Sequence, residues 1–174
     1  MTKGKRNQRQ TGFEVKIFSV PFALEELERN ITVITNTPPK PSGDQIIKNA
    51  FKFHAEGKIK EAEKNYRYII NQKYKDARIF YNLGAIYFDQ GKVKEAEVLI
   101  EKAIKLDSKL AFPYATLGQI FTNQGKLKEA ELSFKKAIEI KPDFAEFYLS
   151  LGNTLREIGK SEEAACSLKK AIDI

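Results

Sequence analysis

The string GKIKEA at 57–62 returns as GKVKEA at 91–96, GKLKEA at 125–130 and GKSEEA at 159–164, a spacing of 34 residues each time. A fixed period of this length marks a stack of near-identical supersecondary units, and neither a single mixed core nor a catalytic pocket. Aligned on these glycines, the chain divides into units at 43–76, 77–110, 111–144 and a shortened 145–174. The eighth position of each unit is Ala50, Gly84, Gly118 and Gly152, and the twentieth is Ala62, Ala96, Ala130 and Ala164. At the twenty-seventh, Ile69 is followed by Ala103, Ala137 and Ala171. Small residues in such columns let two helix backbones approach closely. Large apolar residues fill the columns between: Ile46, Phe80, Tyr114 and Tyr148 at position 4, and Phe53, Tyr87, Phe121 and Leu155 at position 11. A third column, at position 24, holds Tyr66, Ile100, Phe134 and Leu168.

Within a unit, Leu83 and Tyr87, then Ala96, Ile100 and Ala103, follow helical spacing on two separate stretches. Gly91 lies between them, where the backbone must open to turn. Each unit therefore reads as an antiparallel helix pair. Pro142 is expected to end the second helix of the third unit, and Pro113 falls near the start of a first helix, where its missing N–H costs little. The fold expected is all-α, an α-solenoid of four helix–turn–helix units spanning 43–174.

These columns, as in Tyr81-Asn-Leu-Gly84, Tyr87, Gly91, Ala96 and Ala103, resemble the tetratricopeptide repeat, over about three quarters of the chain. Bacterial members, including cyanobacterial ones with comparable basic starts, look similar. The first unit departs most, with Asn49 in place of the usual leucine. The resemblance implies a right-handed superhelix whose concave face is lined mainly by first helices, at positions 2, 5, 9, 12 and 13. Those positions give Ile47, Phe51 and His54, then Arg78, Tyr81, Ala85, Phe88 and Asp89, then Phe112, Ala115, Gln119, Thr122 and Asn123, and finally Leu149, Asn153, Arg156 and Glu157. Asn82, at position 6, joins this set. Such a groove is aromatic toward its N-terminal end and polar toward its C-terminal end, and suits an extended or helical peptide. The competing reading is that Phe51 and Phe88 partly pack between helices. His54, the only histidine, reads as a solvated or capping residue. Some relatives hold a C-terminal carboxylate with a Lys, Asn and Arg clamp; here Ile47, Phe51, Phe112 and Thr116 stand at clamp positions and only Asn82 matches, which argues against it.

Lysines recur too, at Lys58 and Lys60, Lys92 and Lys94, Lys126 and Lys128, then Lys160. Stacked, they form a basic ridge able to attract acidic partners. The plainer reading is a solubilising face with pairs such as Glu63–Arg67 and Glu131–Lys135 at i, i+4.

The first 42 residues form a separate N-terminal extension. Residues 1–12 are polar and basic and are expected to be disordered. Residues 13–36 carry eleven large apolar side chains: Phe13, Val15 and Ile17 alternate as in a strand, Leu24 and Leu27 fit a short helix, and Ile31 to Ile34 is β-prone. The stretch could dock on the first helix pair, occupy the groove or engage a partner. Residues 37–42 read as a stiff Pro-rich linker.

At 174 residues, 42% apolar and 30% charged, the composition suits a folded chain. No apolar run is long enough to span a membrane. The basic start, KGKR at 3–6, precedes no apolar stretch of signal-peptide kind, so the cytoplasm is the default location. Cys166, the only cysteine, excludes an internal disulfide. Of the +7 net charge, the first ten residues supply four, so the basic excess is partly a property of the tail and a nucleic-acid partner is not indicated. There is no Ser/His/Asp set, metal-ligand cluster or phosphate-binding glycine loop, and no cofactor is expected. The reading is a non-enzymatic protein–protein interaction scaffold. The alternatives are the recognition arm of a sulfotransferase or glycosyltransferase system whose catalytic part is absent from this chain, and an RNA- or membrane-surface adaptor acting through the basic tail. Leu168, Ala171 and Ile172 near the C-terminus suggest either end-to-end self-association or a truncated gene.

Overall fold

The computed structural model describes residues 42–174. The expected disorder of 1–12, the apolar segment 13–36 and the linker up to residue 41 lie outside the described residues. Eight helices follow in order: α1 (Gly43–Ala55), α2 (Ile59–Asn71), α3 (Ala77–Asp89), α4 (Val93–Leu106), α5 (Ala111–Asn123), α6 (Leu127–Ile140), α7 (Ala145–Ile158) and α8 (Ser161–Asp173). Each odd helix packs most extensively on the even helix after it, and α2, α4 and α6 pack less extensively on the odd helix that follows. The result is an all-α solenoid of four helix pairs.

The repeated Gly-Lys step makes the turn inside every pair. Gly57, Gly91, Gly125 and Gly159 all have positive φ, from 71° to 90°, a region that a side chain disfavours. The lysine N–H after each glycine donates to a carbonyl five residues back, as from Lys58 to Phe53 (2.8 Å), Lys92 to Tyr87 (2.8 Å), Lys126 to Phe121 (2.9 Å) and Lys160 to Leu155 (2.9 Å). The glycine N–H bonds the carbonyl three residues back, completing a Schellman C-cap. Such a cap usually carries an apolar contact between the two residues that close it. At three of the turns a cation–π contact stands in its place, the lysine ammonium lying 5.9, 4.8 and 5.5 Å from the ring centres of Phe53, Tyr87 and Phe121, each worth about 0.5–1 kcal/mol at such exposed sites.

The second helices end in two ways. Lys73 closes α2 with φ 62°, the one non-glycine positive φ among the described residues. α4 and α6 instead run into extended residues, Asp107 and Lys141, the latter followed by Pro142, which cannot continue a helix. Ser42 and Asp76 cap α1 and α3, their side chains accepting from the Gln45 and Arg78 N–H groups.

The core runs between helices along the repeat columns. Ala62, Ala96 and Ala130 are wholly buried, as are Tyr66 and Ile100. In the last three units position 8 has no room for a methyl group, which Ala50 carries in the first: a Cβ on Gly118 would stand 2.8 Å from two ring carbons of Phe134. Successive units are also clasped by side chains. Gln90 donates to Glu63 (3.1 Å) and Gln124 to Glu97 (2.7 Å). At the third junction Lys160 takes over, bonding both oxygens of Glu131 at 3.0 and 2.9 Å. Glu131 is buried and also accepts from Lys135 (2.6 Å). These two ammonium groups hold its carboxyl below the usual carboxylate range.

Candidate functional site

α3 touches α5 and α5 touches α7, whereas no two even helices meet. α3, α5 and α7 thus adjoin in series, and two clefts open along the odd helices, the first also bounded by Phe51 of α1.

The first, of about 390 Å³, is lined by Phe51, Arg78, Tyr81, Asn82, Leu110, Phe112 and Pro113. Phe51 stands edge-on to Tyr66, with ring centres 5.8 Å apart. Arg78 lies 5.3 Å over the Phe51 ring and is fixed there by Asp76, which accepts from its Nε (3.1 Å) and Nη2 (2.6 Å). Arg78 in turn holds the Asp76 carboxyl below its ordinary range. The guanidinium thus offers a flat surface whose charge Asp76 matches. Phe112 is 39% exposed, edge-on to Phe144 (5.1 Å) and Phe147 (5.6 Å). The Lys141 ammonium lies 5.2 Å from the Phe112 ring and 4.6 Å from that of Phe144. Tyr81 is half-buried, and burial raises its phenol above the usual range, with Thr116 beside its hydroxyl acting the other way.

The second cleft, of about 180 Å³, is lined by Gln119, Thr122, Asn123, Phe134, Ser150, Asn153, Thr154 and Glu157. Thr122 and Thr154 donate to carbonyls one turn back, Gly118 and Ser150. Asn153 accepts from Arg156 (3.2 Å). Gln119 and Asn123 are exposed and make no side-chain hydrogen bond among the described residues.

A buried relay underlies the first cleft. Tyr66 is wholly buried, with its hydroxyl 3.2 Å from His54 Nδ1 and 3.3 Å from Asn82 Nδ2, which donates to it. Donation from Asn82 to Tyr66 and from Tyr66 to His54 satisfies all three groups. Burial pushes the Tyr66 phenol up to about 12, while the Asn82 bond lowers it. His54 is accordingly neither solvated nor capping, as the sequence reading had it: its half-buried ring turns inward, edge-on to Tyr66 at 5.9 Å. Asn82, the one residue matching a carboxylate clamp, has its amide engaged by Tyr66.

The twelve residues assigned from sequence thus fall into three groups. Phe51, Arg78, Tyr81, Asn82 and Phe112 meet in the first cleft, and Gln119, Asn123 and Asn153 in the second, with Arg156 bonded to its rim. Ile47, His54 and Phe88 are half-buried and pack inward, Ile47 on the α1–α2 cluster and Phe88 on that of Ala96, Ile100 and Ile120. Ala115, read as groove-lining, is buried at 8% exposure. Sequence reasoning missed Leu110, Lys141 and Phe144, which lie in the connections between units. No period marks them, since positions 31–34 change from unit to unit, Asp76 and Leu110 giving way to Phe144. The lysine ridge is also partly explained: Lys58, Lys92 and Lys126 are stacked on their own turns.

No helix among the described residues is long and apolar enough to cross a membrane. A search of curated proteins found no match. Residues 77–110 and 145–174 each match a family described as tetratricopeptide repeat, and residues 118–159 one described as TPR repeat. Among solved structures, MamA is 25% identical with a TM-score of 0.69, over 76% of this chain and 77% of that one. YrrB, described as a TPR protein with an unusual peptide-binding site, is 23% identical with a TM-score of 0.65, over 76% and 68%. PilF from Pseudomonas aeruginosa is 20% identical with a TM-score of 0.67, over 76% and 60%. The helix pairs, their glycine turns and these matches agree: the chain belongs to the tetratricopeptide-repeat family and is a protein-interaction scaffold.

Proposed function

We propose that the face shared by the odd helices binds a peptide segment of a partner protein without catalysing a reaction. The observation that carries this reading is the first cleft, where Phe51, Tyr81 and Phe112 leave aromatic surface partly open beside an Arg78 whose charge Asp76 already matches. A large apolar side chain of the ligand would enter there, since aromatic-lined pockets with matched polar rims make effective anchors. The polar cleft beyond would then meet the ligand's main chain through the Gln119 and Asn123 amides. YrrB shares the fold and is described as having a peptide-binding site, which supports the compatibility of the architecture with this role.

The test is selection of ligands from a displayed peptide library, followed by titration against Tyr81→Ala, Phe112→Ala and Gln119→Ala. The two aromatic truncations are expected to weaken binding by about 30-fold or more, as for hot-spot residues. Gln119→Ala is expected to weaken it severalfold. Unaltered affinity in both aromatic variants, with their helix content intact, would refute the assignment.

A further inference from the structure

The relay beneath the first cleft has a direction, and His54 sets it. A tyrosine hydroxyl has a single proton to give. With a neutral His54 whose Nδ1 accepts, Tyr66 gives that proton to the imidazole (3.2 Å) and receives one from Asn82 Nδ2 (3.3 Å). The Asn82 amide is thereby oriented. Its Oδ1 makes no hydrogen bond among the described residues, and none of their half-buried or buried side chains has a polar atom both shielded from solvent and unpartnered. Oδ1 therefore lies on accessible surface, and Asn82 lines the first cleft. In this state the cleft is offered an acceptor.

An imidazolium reverses the chain of bonds. Both of its nitrogens are donors, so Nδ1 gives a proton to the Tyr66 oxygen. If Asn82 kept its orientation, the Tyr66 proton would have no acceptor, at a side chain with no solvent exposure. Stranding a polar hydrogen there is costly. Half a revolution of the Asn82 amide brings Oδ1 to Tyr66 as the acceptor and turns Nδ2 to the cleft. No helix has to move.

His54 is placed to drive this reversal. It is the only histidine, and histidine is the side chain whose ordinary charge change falls between about pH 5 and 8. Its ring is half-buried and edge-on to Tyr66. On its own helix and turn, Lys52, Glu56 and Lys58 are ion-paired among themselves, and Asp44 and Lys48 lie nearer the other end of α1. The buried face of α2, the helix packed on α1, is Ala62, Tyr66 and Ile69 and carries no charge. On α3, Arg78 is held by Asp76, and Asp89 is exposed at the end of the helix.

We propose that the relay makes the first cleft a pH-dependent selector of its ligand. With His54 neutral, Asn82 accepts a hydrogen bond from a ligand N–H; with His54 protonated, it donates one to a ligand carbonyl. Asn82 is the group that meets the ligand, and Tyr66 and His54 are positioning residues. The inference rests on the reading of this cleft as a peptide site.

Two measurements on the full chain test it. In the protein alone, NMR of the ring and amide nitrogens between about pH 5 and 8 should show neutral His54 protonated on Nε2. The Asn82 side-chain resonances should follow the His54 titration and lose that dependence in Tyr66→Phe. A neutral ring protonated on Nδ1, or an Asn82 amide indifferent to His54, would overturn the relay whether or not a peptide binds. For binding, end-blocked peptides without titratable side chains are selected from a library at the alkaline end of this range and titrated into acid. Their affinity for the parent is expected to fall about tenfold, because a donor then faces a donor. In His54→Gln, where a neutral amide oxygen still accepts from Tyr66, and in Tyr66→Phe, the affinity should not depend on pH. A fall of equal size in both variants would overturn the proposal. A pH-independent parent whose binding is weakened by Tyr81→Ala and Phe112→Ala would overturn the selector and leave the peptide site standing. Peptides indifferent to those two truncations would remove the peptide site, and the selector with it.

Discussion

Gly118→Ala sets two opposing effects against each other at one position. In mid-helix, alanine is ordinarily better than glycine by about 0.5–1 kcal/mol, because it restricts the unfolded backbone. Here the new methyl would stand 2.8 Å from Cε1 and Cζ of Phe134 and 3.0 Å from Cδ1. Phe134 is only 2% exposed, so the ring cannot swing away and α5 must lift from α6. Overpacking of this kind costs about 1–3 kcal/mol. The net expectation is a loss of about 1 kcal/mol, or about 4 °C in Tm for a folded region of this size. Urea and thermal unfolding followed by far-UV circular dichroism measure it. The decisive arm is the pair with Phe134→Ala: leucine would still crowd the methyl, as Leu168 does at Gly152, but alanine vacates the clash, so the double variant should be about 2 kcal/mol more stable than the sum of the singles predicts. Gly125→Ala is the control. Its φ is 72° and a Cβ there meets nothing within 4 Å, so it should cost about 1 kcal/mol with no coupling to Phe134. A Gly118→Ala variant that is more stable than the parent would refute the close-packing argument.

Two further perturbations test the polar contacts. Tyr66→Phe removes the hydroxyl between His54 and Asn82 and is expected to cost about 1 kcal/mol, since both partners are half-buried and water can partly replace it; an unchanged urea midpoint would count against the relay. Glu131 has a depressed pKa when folded, so its contribution is present above its ordinary value of 4.5 and is lost as pH falls below that. Glu131→Gln should therefore cost about 1 kcal/mol at neutral pH and converge on the parent in acid; a gap of constant size across the titration would show that the carboxylate is not the cause.

The turns and the small columns were legible because every unit needs them for itself. A Schellman cap requires a residue tolerant of positive φ, so glycine recurs at 57, 91, 125 and 159, and tight helix approach requires alanine or glycine at fixed intervals. What crosses from one unit to the next was not legible in the same way. Glu63 and Gln90 lie 27 residues apart, and neither stands out until the stack brings them together. The His54–Tyr66–Asn82 relay joins three helices from two units, and its members sit in columns whose other occupants do different things. Phe144 and Lys141 shape the aromatic cleft from a connection, where sequence varies freely and no period marks the residue. The lysine after each glycine was legible as a pattern but not in its role, because the ring it covers lies five residues earlier in a helix that reverses direction between them.

The same distinction bears on what the odd-helix face can select. Its cations already have contacts: Arg78 with Asp76 and the Phe51 ring, Lys141 with the rings of Phe112 and Phe144, and Arg156 a hydrogen bond to the Asn153 amide. An incoming carboxylate would have to displace these contacts to gain a charge pair, and at an exposed surface the exchange yields little. Phe51, Tyr81 and Phe112 have no such competing obligation on their open sides. If this face binds a peptide as proposed, discrimination would rest on how well an apolar side chain fills the first cleft, with the amides of Gln119 and Asn123 fixing register.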